Sequence, residues 1–310
     1  MIAGAVLRMG SDARVISIQA KFLSLVLRLS NLKKSLDKAL DNGSMATGKS
    51  SPPPKSMFLN FDIENTQSCG RNVYTLRPKT GAGNRHIFYL HGGAYILGFN
   101  RLHWSYIARL IQSTGCTIVA PDYPLAPEYT WSDSFRMVEP IYRDLVARVG
   151  GENVVLMGDS AGGGFALALA QKMKQASVGP ARQIILLSPW LDIALDNQDI
   201  ADLVAKDPIL EVRALKRAGR CYAGDSSLSS FLVSPINGDM HGLGEISLFV
   251  GTHDIMLADA RRLRTMAKDK GISISFFEYE GMLHVWMLFN LPESKKALDQ
   301  VVGLLGRETT

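Results

Sequence analysis

From residue 56 onward, short apolar runs are separated by longer stretches of helical period, and this alternation constrains the chain more than any other feature. Eight candidate strands fall at 57–63, 72–77, 86–91, 116–121, 153–158, 183–188, 246–251 and 272–279. Helical stretches at 103–112, 133–149, 161–175 and 258–269 lie between the later strands, and 293–306 follows the last. The pattern predicts an α/β fold: an eight-stranded, mostly parallel sheet flanked by helices on both faces. The runs IFYL, TIVA, VVLM and IILL show no polar alternation, as expected of strands buried on both sides. The gap from 189 to 245 is too long for a simple crossover, so extra helices are expected above the sheet at 197–206 and 208–220, the second with Pro208 near its start.

The N-terminal part has a different character. Apolar residues cover most of the circumference of a predicted helix over 12–40, leaving one polar stripe through Arg14, Ser17, Lys21, Ser24 and Arg28. DNGSMATGKSSPPPK (41–55) reads as a linker, because three consecutive prolines cannot continue a helix. The chain is thus divided into a segment 1–55 and a catalytic domain 56–310 with an insertion at about 190–240. The net charge of +5 lies entirely in the first part: residues 1–55 hold nine basic and three acidic side chains, leaving 25 basic against 26 acidic for the rest. The main body therefore has no basic field for nucleic acid. No uncharged apolar stretch is long enough for a membrane span, and Arg14, Lys21 and Arg28 break up any signal-peptide core. Cys69, Cys116 and Cys221 are too scattered for a disulfide framework or a zinc site, so no metal or other cofactor and a reducing, cytoplasmic setting are expected.

The chemistry sits at strand ends. The strand at 153–158 runs through GDSAG (158–162) into a helix, the strand–turn–helix setting of a nucleophile elbow, with Ser160 lifted clear of the backbone. HGGAYILGF (91–99) follows the third strand and offers backbone N–H groups for an oxyanion hole. Gly92 and Gly93 are the expected donors, with Ala161, directly after the nucleophile, as the third. His91 is read as a structural member of that loop. A serine needs a histidine to take its proton and a carboxylate to orient that histidine. Of six histidines only His284 follows the last strand, and Asp254 stands just past the strand at 246–251. Asp192, Asp196, Asp239 and Asp259 are rivals for the acid, placed in the insertion or inside a helix, and His253 is expected to point elsewhere. Phe99, Trp104, Trp131 and Trp190 are core or pocket-wall aromatics.

HGGAY, DYPLAPE (122–128), GDSAGGG (158–164), SPWLD (188–192), THDIML around Asp254 and the late His284 occur in one order over roughly residues 56–305. On these motifs the chain resembles the hormone-sensitive-lipase-like esterases of the α/β-hydrolase superfamily. The resemblance implies a triad of Ser160, Asp254 and His284 and an oxyanion hole of Gly92, Gly93 and Ala161. It also implies a helical cap made by the segment before the first strand and by the insertion. It further implies a small-molecule ester as substrate, short to medium acyl chains of about eight carbons or fewer in a compact pocket, and a homodimer paired along the last strand. Two departures stand out. The family's acid motif reads Asp-Pro-Leu where this chain has Asp254-Ile255-Met256, and HGGA replaces the commoner HGGG. Triad chemistry does not choose the leaving group, so a lactone hydrolase or an amidase remains an alternative, as does a non-catalytic receptor on the same fold. For the basic N-terminal helix, two burial partners are open: the mouth of the site, as cap, or a weak contact with an anionic membrane surface.

Overall fold

A computed structural model of the chain describes residues 16–30, 33 and 50–306. Eight strands form one sheet: β1 Phe61–Ser68, β2 Arg71–Pro78, β3 His86–Leu90, β4 Thr117–Pro121, β5 Val154–Asp159, β6 Gln183–Leu187, β7 Glu245–His253 and β8 Ile274–Leu283. Their order is β1-β2-β4-β3-β5-β6-β7-β8. β2 runs antiparallel to both β1 and β4, and every pairing from β4 to β8 is parallel. The apolar runs of the central strands show no polar alternation because successive residues feed two different cores. Phe88, Leu156 and Leu186 enter the core beneath α4 (Trp131–Val149), α5 (Ala161–Gln175) and α8 (Leu257–Asp269). Their neighbours Tyr89, Met157 and Leu187 enter the core beneath α3 (Arg101–Thr114) and α9 (Pro292–Leu305).

Three expectations are corrected. In place of a first strand at 57–63, Met57–Asn60 is a short helix, α2, and β1 begins at Phe61. Met57 and Phe61 are both buried while Phe58 and Leu59 are exposed, a four-residue spacing that suits a helical turn; the turn begins where Met57 N–H donates to Pro54 O. The second insertion helix, expected at 208–220, is α7, Val212–Ala223. Asp207 accepts from Ile209 and Leu210 N–H, and Glu211 caps the helix by accepting from Ala214 N–H, so the start is delayed past Pro208. The first insertion helix is shorter than 197–206, a 3-10 turn at 198–200 running into α6, Ala201–Val204.

In the N-terminal segment the helix α1 spans Ile18–Leu29, capped by Ser17, whose Oγ accepts from Ala20 N–H. The rest of the helix expected over 12–40, apart from Ile16, Ser30 and Lys33, and residues 41–49 of the linker lie outside the described residues. The linker's last residues are docked: Ser51 N–H donates to Phe99 O, and Trp104 Nε1 donates to Ser51 O. Ile16, Leu23 and Leu27 of the N-terminal segment pack on the same core as Trp286 and Met287. The opposite side of α1 is apolar and open, with Ile18 83%, Phe22 66%, Leu25 53% and Leu29 72% exposed. No helix among the described residues is long and apolar enough to cross a membrane.

Candidate active site

Ser160 occupies the turn from β5 into α5 at φ 52° and ψ −121°, a conformation that costs a non-glycine residue about 1–3 kcal/mol. Surrounding backbone holds it there: Ser160 N–H donates to Leu187 O, and Trp190 N–H donates to Ser160 O, both at 2.8 Å. Glycine is required on either side. A Cβ on Gly158 would overlap the carbonyl of Gly162, and one on Gly162 would overlap the carbonyls of Leu90 and His91.

The parallel register brings the carboxyl ends of β5, β7 and β8 to one edge of the sheet, and three distant side chains meet there. His284 Nε2 lies 2.9 Å from Ser160 Oγ, and His284 Nδ1 lies 2.9 Å from Asp254 Oδ2. A carboxylate accepts, so Nδ1 carries the proton and Nε2 is left to accept from the serine hydroxyl. All three residues are buried. Asp254 Oδ1 accepts from Met256 N–H at 2.9 Å, and Val285 N–H, just past the histidine, donates to Ser188 Oγ. Burial by itself disfavours the imidazolium, but the charge and hydrogen bond of Asp254, with Asp207 and Asp159 further away, outweigh it and raise His284 above its ordinary value. The other carboxylates are engaged elsewhere: Asp192 with Ser234 and Arg262, Asp259 with Asn197, Asp239 with Lys174 and His241, and Asp196 with Lys216.

The loop after β3 departs from the sequence reading. Gly92 does not offer its N–H to Ser160; that group donates to Asp159 Oδ1 at 3.0 Å. Gly93 then turns at φ 118°, followed by Ala94 at 54° and Tyr95 at 63°. Among the described residues no acceptor engages the N–H of Gly93, Ala94 or Ala161. The Gly92 N–H is thus engaged, whereas among the described residues those of Gly93, Ala94 and Ala161 are open. Asp159, unremarked in the sequence, organises this loop: it is buried, accepts from Tyr89 Oη at 2.7 Å and faces His103 Nε2 at 3.4 Å. Burial alone would raise its carboxyl, but the facing His103 and the Tyr89 hydroxyl hold it below the ordinary range. His91 is fully buried, stacks on Tyr123 with 4.2 Å between centroids and is pushed down to about 3 by burial, so it stays neutral and structural. His253, half-buried at the end of β7, is not part of the triad-like chain. Tyr95 stacks face to face on Tyr222 of α7 at 3.6 Å and also lies against Trp190. Among the described residues no group of three or more His, Cys, Asp and Glu side chains could hold a metal ion.

Residues 87–288 match the family model described as the alpha/beta hydrolase fold. An acetyl-hydrolase of Streptomyces hygroscopicus is 30% identical over 88% of this chain and 89% of its own length. An esterase of Acinetobacter venetianus is 31% identical over 69% of this chain and 72% of its own. Among solved structures, a putative esterase from Staphylococcus aureus superposes with TM-score 0.80 at 28% identity, covering 84% of this chain and 89% of that one. An esterase from the bacterial hormone-sensitive lipase family shares the fold at TM-score 0.80 and 24% identity, covering 94% of this chain and 98% of that one. The matched span holds the elbow, the acid and the histidine together, and the chain belongs to the α/β-hydrolase fold family, in its ester-hydrolysing branch.

Proposed function

We propose that the protein is a serine carboxylesterase acting through Ser160, His284 and Asp254 on esters of short to medium acyl chains. The observation that carries this reading is the buried chain of two 2.9 Å hydrogen bonds linking a strained serine, a histidine and a carboxylate. His284 Nε2 takes the hydroxyl proton as Ser160 Oγ attacks the ester carbonyl, and Asp254 stabilises the imidazolium that forms. The N–H groups of Gly93, Ala94 and Ala161 receive the developing oxyanion, in a site where no reorganisation is needed at the moment of reaction. His284 then passes its proton to the leaving alcohol and activates the water that releases the acyl group.

Acyl preference follows from what stands over the loop. The Tyr95–Tyr222 stack fastens α7 onto the donor loop, and a helix held that close to the elbow suits chains of about eight carbons or fewer. The relative named acetyl-hydrolase agrees with a small acyl group. α1 packs by Leu23 and Leu27 on the core that also holds Trp286 and Met287, as a cap element would. Its open apolar side, with Lys21 on the same helix, suits a weak contact with an anionic lipid surface. The test is a panel of p-nitrophenyl esters from acetate to palmitate, run beside lactones and anilides, on wild type and on Ser160→Ala. Butyrate is expected to exceed palmitate, and Ser160→Ala to lower kcat by about 10⁴-fold or more. Turnover surviving in the variant, or a palmitate optimum, overturns the corresponding half of the proposal.

A further inference from the structure

Ile255 stands where the related acid motif has proline, and the exchange has a structural consequence. Proline has no N–H, whereas Ile255 has one to satisfy at the buried entrance to α8. It donates to Asp207 Oδ2 at 3.0 Å. The next N–H along, that of Met256, donates to Asp254 Oδ1 at 2.9 Å. Two adjacent donors ahead of one helix are thus divided between two buried carboxylates, one reaching His284 and one arriving from the insertion.

Asp207 is itself tightly held. Its Oδ1 accepts from Ile209 and Leu210 N–H at 2.8 and 2.9 Å, so the carboxylate takes three backbone donors in all, two from its own turn and one from the acid loop. The carbonyls just before it, Ala205 and Lys206, accept from the Arg28 guanidinium of α1. Burial and the neighbouring Asp254 raise the Asp207 carboxyl to about 6, opposed by His284 and by the backbone donors. A carboxylate kept in so unfavourable a place needs a structural return, and the Ile255 N–H is what it holds.

We propose that Asp207 is a positioning residue for the triad: by holding the Ile255 N–H it fixes the loop that aims Asp254 at His284, doing by a hydrogen bond what a proline in the same place would do by covalent restraint. The inference rests on the esterase reading for its kinetic consequence but not for its geometric one. Asp207 touches none of the reacting atoms. Its effect passes through the orientation of the Asp254 carboxylate, and a small displacement there costs rate rather than substrate affinity.

The experiment is a cycle of Asp207→Asn, Ile255→Pro and the double variant, each assayed on p-nitrophenyl butyrate and examined by proton NMR for the low-field His284 Nδ1–H resonance. Asparagine keeps an oxygen for Ile209 and Leu210 but turns a donor toward the Ile255 N–H. In the wild-type background Asp207→Asn is expected to lower kcat about 10- to 100-fold, to change KM less than about threefold, and to shift or broaden the resonance. In the Ile255→Pro background there is no N–H to hold, and the same Asn substitution should cost less than about twofold. Equal losses in the two backgrounds, or an unchanged kcat and resonance in Asp207→Asn, overturn the proposal. Should Asp207→Asn fail to fold alone, folding of the double variant supports it and failure of both defeats it. If the wild type hydrolyses no ester, the esterase reading falls, while the resonance still decides the role of Asp207.

Discussion

The nucleophile elbow and helix α1 are held in opposite ways. Around Ser160 backbone packs on backbone: there is no room for a Cβ on Gly158 or Gly162, and the strained serine has its N–H and carbonyl both engaged. α1 is held mainly by its ends and one side. Ser17 bonds Glu293 at the start, Arg28 and Lys33 reach the carbonyls of 204–206 at the finish, and Ala20 is its only buried residue. The geometry of the elbow cannot vary by a methyl group without cost, whereas α1 meets solvent with a whole apolar stripe and is free to exchange that contact for another. Precision is concentrated at the elbow, and adaptability along α1.

The sharpest way to break this contrast is Gly162→Ala. The added methyl would overlap the Leu90 and His91 carbonyls, and the cost is expected to be about 3 kcal/mol or more, read by urea denaturation. A loss below about 1 kcal/mol would mean that the elbow is looser than its packing implies. Next is pH. His284 must be neutral to accept a proton, and its value is raised, so kcat/KM should fall as pH drops through an inflection above the ordinary imidazole value of about 6.5. An inflection clearly below that value would show that Asp254 does not stabilise the imidazolium in the free enzyme. The smallest effect on stability is expected on α1. Phe22→Ser with Leu25→Ser should change unfolding free energy by no more than about 0.5 kcal/mol per site, since both side chains are exposed. The same pair should weaken sedimentation with anionic vesicles. Undiminished vesicle binding would remove the lipid-surface role of this stripe.

Strand number, the parallel sheet and the meeting of Ser160, Asp254 and His284 were legible because each depends on a local pattern at a strand's carboxyl end, where α/β folds place their chemistry. Which glycine N–H of HGGA is already engaged was not legible. Gly92 and Gly93 look alike as letters, and the choice is made by the Asp159 carboxylate, 67 positions away, which captures the first N–H. The start of β1 is hidden for a different reason: its NTQS half is polar, as an edge strand allows, while MFLN has a strand's composition and is a helical turn. Asp207 gave no signal at all. A lone acid ahead of a proline reads as a turn, and only the folded chain brings it to Ile255.

The Tyr95–Tyr222 stack bears on how such an enzyme can change its diet. Tyr95 belongs to the same short loop as Gly93 and Ala94, and Tyr222 to helix α7. On the proposed function, a mutation that swings α7 outward to admit a bulkier acid pulls on the loop assigned there to receive the negative charge. Widening the pocket and slowing the reaction are thereby one event, and a lineage shifting toward larger esters has to loosen this pair of rings before it reshapes anything else.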